Sequence, residues 1–219
     1  MKRTDIPAVN RLLKAAYETN NAPIQRLNKV RRTEPFRVLV TTILSARTKD
    51  QTTVEAASRL FRVVRKPADL GRLTVQQIEK LIFPVGFYHT KARHLHELPA
   101  VMDKRFGGKV PSTIEELIEL PGVGRKTANL VVTDAFDKPG ICVDVHVHRI
   151  CNRLGLIRTR NPFESEMALR GILPLRYWKS WNSYLVAYGQ TVCTPLRPKC
   201  HSCPITPYCA RIGVVEGRK

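Results

Sequence analysis

The stretch Leu120-Pro121-Gly122-Val123-Gly124-Arg125-Lys126-Thr127-Ala128-Asn129 decides how this chain is read. Just upstream, Pro111-Ser112-Thr113-Ile114-Glu115-Glu116-Leu117 predicts a helix start. Ser112 and Glu115 stand at capping-box spacing, and Ile114, Leu117 and Ile118 give one apolar face. Just downstream, Ala128, Val131, Val132, Ala135 and Phe136 recur at helical spacing. The segment therefore predicts helix, glycine-rich hairpin, helix. Gly122 and Gly124 permit positive φ and close approach of another backbone. The amides of Gly122, Val123, Gly124 and Arg125 can then face a phosphate at the N-terminus of the second helix. Such a contact positions a nucleic acid without reading its sequence. A plain glycine-capped helix end is the simpler alternative. The basic character of the chain and a lysine on the first turn of the second helix favour phosphate binding.

Lys126 is the candidate nucleophile. Most lysines among 37 Lys and Arg residues are solvated surface charges. This one follows Arg125 at the positive end of a helix dipole. Both neighbours, and burial if present, disfavour the ammonium and push an amine towards nucleophilicity. Asp144 follows the turn Asp137-Lys138-Pro139-Gly140 and a short apolar run. It precedes a helix with Val147, Ile150, Cys151 and Leu154 on one face. A plain N-cap explains it, and capping is compatible with catalysis because accepted N–H bonds keep the carboxylate ionised. An amine and a carboxylate beside a phosphate clamp suit attack at a sugar carbon.

Leu120–Asn129 followed by Val143-Asp144-Val145-His146 resembles the helix-hairpin-helix DNA glycosylases, specifically the endonuclease III family of bifunctional glycosylases and AP lyases. The resemblance runs from about Pro35 to Cys209. It implies that Lys126 attacks C1′ of a damaged nucleotide and that Asp144 assists loss of the base. It implies an all-α fold of two helical lobes. A six-helix lobe over residues 28–138 would hold the hairpin, and residues 1–27 with 139–219 would form the iron–sulfur lobe. DNA would bind in a cleft between them. It also implies DNA contacts from His146 and from Arg47, which stands where relatives often carry a Gln that fills the gap left by an extruded nucleotide. That exchange leaves lesion and opposite-base preference open. Lys126 itself argues against the monofunctional relatives.

The charge balance agrees. The chain has 219 residues, 37 basic against 18 acidic, for a net charge of +19 and a sequence pI near 10.2. Such an excess indicates a polyanionic partner, foremost double-stranded DNA. A basic membrane-surface protein is the rival, and no long basic amphipathic helix supports it. The beginning Met1-Lys2-Arg3-Thr4-Asp5-Ile6-Pro7 has no apolar signal core, and no run reaches membrane-spanning length. The expectation is a soluble, cytoplasmic, nucleoid-associated monomer.

Elsewhere, residues 8–18 predict an amphipathic helix ended by Ala22-Pro23. Pro35 to Ala46 is the most apolar run, a buried helix or, given its β-branched residues, a strand. Asp50 or Thr48 would cap the next helix, to about Phe61. Thr74 and Gln77 form a capping box for a helix to Ile82, broken by Phe83-Pro84-Val85-Gly86-Phe87. Thr90 would cap a helix from Lys91 to about Phe106, bent by Pro99 and stopped by Gly107-Gly108. His89, His94 and His96 there read as a solvated basic face. Asn161, Pro162 and Glu164 start a further helix. Trp178, Trp181, Tyr184, Leu185 and Tyr188 anchor the last long one as core residues.

Cys193, Cys200, Cys203 and Cys209 are spaced C-x6-C-x2-C-x5-C. Crowded thiolates repel one another unless a metal absorbs their charge. Structural zinc ordinarily takes two knuckle-like pairs, and only Cys200 and Cys203 make one. A [4Fe–4S] cluster with one ligand per iron fits better, and the spacing matches the iron–sulfur loop of the endonuclease III family. Between the first two ligands, two prolines stiffen a loop that projects Arg197 and Lys199, suited to further phosphate contacts. Cys142 and Cys151 read as small buried hydrophobes. The competing functions are a monofunctional glycosylase, a non-catalytic DNA-binding iron–sulfur protein and an iron–sulfur electron carrier.

Overall fold

In the computed structural model, residues 1–19, 22 and 34–214 are described, and no strand occurs among them. Pro23 and residues 28–33, part of the expected helix break and lobe boundary, lie outside the described residues. The fold divides into two compact units, one of Met1–Gln25 with Pro139–Lys219 and one of Arg26–Lys138.

The central unit contains helices α2 (Pro35–Ser45), α3 (Asp50–Val63), α4 (Pro67–Arg72), α5 (Val75–Ile82), α6 (Tyr88–Phe106), α7 (Ile114–Leu117) and α8 (Arg125–Phe136). α2 settles the helix-or-strand question. Val38, Leu39, Val40 and Leu44 are fully buried, so the run is apolar all round because it lies at the centre of the core. It packs on α3 and α8, and the Glu34 carboxylate caps it by accepting from Phe36 and Arg37 N–H. The Thr74–Gln77 capping box of α5 forms with both hydrogen bonds in place.

Several local expectations are corrected. α7 is capped by Thr113, not Ser112. The Thr113 hydroxyl accepts from Glu116 N–H and donates to the Glu116 carboxylate. Because α7 is one turn long, Ile118 falls past its end and is exposed. Neither Asp50 nor Thr48 caps α3. Lys49 is the N-cap, without a side-chain bond, and Asp50 is the first helical residue. α6 begins at Tyr88, with Phe87 rather than Thr90 before it, and continues through Pro99 to a left-handed Gly107. α4, with only Leu70 buried, is an addition to the sequence reading.

The terminal unit is built from α1 (Ile6–Thr19), α9 (Val145–Leu154), α10 (Pro162–Ile172) and α11 (Trp178–Thr191). α1 and α9 both pack on α11, whose Trp181, Leu185 and Tyr188 are buried. Trp178 and Tyr184 are half-buried against the same core. Cys142 and Cys151 are buried, and the Trp181 indole N–H lies 3.4 Å from the Cys151 sulfur. Asn161 caps α10 as expected. Past α11, short 3₁₀ turns at Cys200–Ser202 and Thr206–Tyr208 carry the cysteines.

Candidate active site and nucleic-acid interface

In the central unit the chain turns tightly after α7. Val123 N–H donates to the Leu120 carbonyl at 3.1 Å, with Pro121 second and Gly122 third at φ +74°. Proline followed by a positive-φ glycine is the pattern of a type II turn. A side chain at Gly122 is barred twice, by its φ and by His94, whose Nδ1 would lie 2.7 Å from a Cβ. His94 of α6 is thus half-buried beneath the hairpin, and only His89 of the three histidines fits the exposed basic face expected for them. His89 faces the Glu79 carboxylate at 2.7 Å.

Gly124 differs from its expectation. Its φ is −91°, so it does not use the left-handed region, and a Cβ there would meet nothing within 4 Å. Packing within the protein does not require this glycine; open space above the backbone is what it provides. As the N-cap of α8 it contributes no side-chain acceptor. The first helical bond runs from Ala128 N–H to the Gly124 carbonyl at 2.9 Å. Buried Asn129 ties its amide to the Arg125 carbonyl and, with Val131 and Val132, anchors the helix. Lys126 stands on the first turn and is exposed, so burial does not contribute to disfavouring its ammonium.

Arg47 lies in the same unit, on the turn between α2 and α3, with φ +52° and an exposed side chain. Its guanidinium sits over the ring of exposed Phe87, 5.4 Å from the centroid.

In the terminal unit Asp144 caps α9. One carboxylate oxygen accepts from His146 N–H at 2.9 Å and from Val147 N–H at 3.0 Å. Buried Asn182 fixes the approach by donating to the Cys142 carbonyl at 2.9 Å. The half-buried His146 ring meets Arg149, which also donates to the Cys193 carbonyl at 2.8 Å. Arg197 and Lys199 are exposed, as expected of them. Their loop is gripped from below by Arg153, a buried arginine the sequence did not single out. It donates to the Thr194 and Pro195 carbonyls at 2.8 and 2.6 Å.

Cys193, Cys200, Cys203 and Cys209 all line one cavity, with Ile150, Leu154 and Ile205 among its walls. The Tyr188 hydroxyl lies 2.9 Å from the Cys203 sulfur, and Arg153 donates towards the Cys193 sulfur at 3.4 Å. Burial first, then the neighbouring cysteines, push the Cys200 thiol up. For Cys209, burial again leads. Among the described residues, no three His, Cys, Asp or Glu side chains converge tightly enough to hold a single metal ion. No helix among them is long and apolar enough to cross a membrane.

Residues 40–174 match the family of HhH-GPD superfamily base excision DNA repair proteins. The chain is 44% identical over 177 residues to endonuclease III of Thermotoga maritima, covering 81% of this chain and 83% of that one. The chain belongs to the endonuclease III family. It is also 44% identical to chloroplastic endonuclease III homolog 2 of Arabidopsis thaliana, over 80% of its length but 47% of the longer plant protein. The fold superposes on a trapped endonuclease III–DNA covalent intermediate with TM-score 0.86 and 32% identity, across 96% of this chain and 97% of the other. The family is one of base-excision-repair DNA glycosylases with lyase activity. Two of these structural neighbours are endonuclease III–DNA complexes, which supports DNA binding by this chain.

Proposed function

We propose that this chain extrudes a damaged pyrimidine from duplex DNA, releases it through the amine of Lys126, and cuts the strand 3′ to the site. The observation that carries the reading is Lys126 itself: an exposed amine on the first turn of a helix whose N-cap has no side chain, beside a glycine with open space above it. A phosphate drawn to those N–H groups would bring the neighbouring sugar to the amine. The neutral Nζ attacks C1′, the new N–C1′ bond forms as the glycosidic bond breaks, and the base leaves with a proton. Opening of the sugar gives a Schiff base. Loss of a C2′ proton then expels the 3′ phosphate by β-elimination. Asp144, half-buried and oriented by two N–H donors, would offset positive charge developing on the sugar. A relative caught as a covalent DNA intermediate supports a covalent step in this family.

Arg47 would fill the space left by the extruded nucleotide. Gly122, Val123, Gly124 and Arg125 would hold phosphate through the backbone, and Arg197, Lys199 and His146 would add contacts from the terminal unit. We read the protein as acting as a nucleoid-associated monomer.

The four cysteines fit a [4Fe–4S] cluster. They supply four thiolates and no competing carboxylate around one mostly apolar cavity. When bound, the cluster would tie the C-terminal segment to α9 and α11 and hold out the Arg197–Lys199 loop. Purified protein should carry about four iron and four sulfide per chain; one zinc without sulfide would exclude the cluster. Duplexes bearing thymine glycol, dihydrouracil, a uracil mismatch or an abasic site test the substrate. Release of oxidised pyrimidines with strand cleavage is expected, and release of mismatched uracil without cleavage would replace this reading with a monofunctional one.

A further inference from the structure

Lys91 is one of the few charged side chains buried among the described residues, only 6% exposed, and no step above uses it. It lies on the first turn of α6 and reaches the end of α2. Its ammonium donates to the Leu44 carbonyl at 2.7 Å, the Ala46 carbonyl at 2.6 Å and the Thr48 hydroxyl at 3.1 Å. A lysine has three donors, and all three are spent on one turn. The carbonyls are those a helix leaves without partners at its C-terminus, where a cation is also favoured by the dipole. The Thr48 oxygen accepts a further bond from Gly86 N–H at 3.1 Å. Any side chain at Gly86 would collide with the Arg47 carbonyl. The backbone of Arg47 is therefore enclosed by Lys91 and Thr48 on one side and Gly86 on the other, while its side chain projects outwards.

That enclosure matters because Arg47 adopts φ +52°. A left-handed residue with a Cβ is strained and persists where its surroundings over-determine it. Burying an ammonium is also costly, and burial lowers the Lys91 pKa to about 8. An apolar residue would fill the same space without that cost, but would remove the ammonium's bond to the buried Leu44 carbonyl and leave Ala46 with only the Thr48 hydroxyl.

We propose that Lys91 is a positioning residue for Arg47: its buried ammonium fixes the 45–49 turn so that the arginine is presented ready for insertion into DNA. This rests on the reading of Arg47 as the gap-filling residue. The same helix supports the hairpin one turn later, where His94 lies beneath Gly122, so α6 is a common floor for both elements.

The test is a double-mutant cycle of Arg47→Ala and Lys91→Met, comparing base release from a thymine glycol duplex with cleavage of an abasic duplex. Lys91→Met should slow base release about tenfold or more relative to abasic cleavage, and this selective loss should vanish in the Arg47→Ala background. If Lys91→Met does not fold, Thr48→Val removes the shared hydroxyl at nearly constant volume and should give a smaller loss of the same kind. Equal losses on both substrates, or an effect undiminished without Arg47, would overturn the proposal while leaving the Arg47 reading intact. If Arg47→Ala itself lowers both activities alike, the Arg47 reading fails and the proposal with it.

Discussion

Helices α8 and α9 treat their N-termini in opposite ways. α8 begins at Gly124, which offers its first turn no side-chain acceptor and no bulk. α9 begins at Asp144, whose carboxylate is already bonded to two of its first-turn amides. Both ends carry the positive pole of a helix dipole. Under the proposed function the first receives an anion from outside, whereas the second already holds a carboxylate of its own. The difference assigns the two candidate catalytic groups their parts. Under that function a lysine beside the open end would meet an arriving sugar-phosphate, and a carboxylate bonded to two amides at the other end is held in a fixed orientation.

The largest effect that sharpens this contrast is at Asp144. Asparagine caps a helix about as well as aspartate, whereas alanine costs about 1 kcal/mol. Asp144→Asn should therefore melt like the wild type yet slow base release by about 10²–10³-fold, and bind lesion DNA at least as tightly. Asp144→Ala should lose the activity and lower the melting temperature too. If Asp144→Asn released base at the wild-type rate, the carboxylate would be only a cap.

The two hairpin glycines come next, because they are required for different reasons. Gly122→Ala meets both a left-handed φ and the His94 ring, and should destabilise the fold by roughly 2 kcal/mol or more. Gly124→Ala meets no protein atom. Its stability should stay within about 1 kcal/mol, while affinity for damaged and undamaged duplex falls together. Gly124→Ala with unaltered DNA affinity would break the assignment of the open end to phosphate.

The smallest effect concerns a helix closed at its other pole. Lys91 has a folded-state pKa near 8 against an ordinary 10.5, lowered by burial among neutral partners. Between those values the unfolded chain binds more protons at this site, so stability from Lys91 rises with pH across that window. Denaturant melts at pH 7 and pH 9.5 should show the wild type gaining on Lys91→Met at the higher pH. A constant difference would place the Lys91 pKa at its ordinary value.

Much of this was legible in the sequence where local rules act alone. The Thr74–Gln77 and Asn161 caps, the Asp144 cap and the buried faces of α8 and α9 follow from spacing. Adjacent residues with equal local claims were not separable. Ser112 and Thr113 each have a Glu three residues on, and only the packing of Ile114 and Leu117 chooses between them. Lys91 was illegible because nothing within Tyr88–His96 distinguishes a lysine that turns inward to distant carbonyls from one that faces water. Arg153 escaped notice similarly, since its partners Thr194 and Pro195 are remote in sequence. The resemblance, rather than periodicity, supplied the role of Arg47, whereas Lys126 stands out by its place just after the hairpin glycines.

The central claim is that the amine of Lys126 becomes covalently bonded to DNA. A Schiff base is reducible, so borohydride added during turnover on a thymine glycol or abasic duplex should link protein to DNA. Lys126→Gln should abolish that adduct and strand cleavage while retaining duplex affinity, because the hairpin backbone is unchanged. Trapping at the wild-type level by Lys126→Gln would identify another amine as the nucleophile and contradict the account.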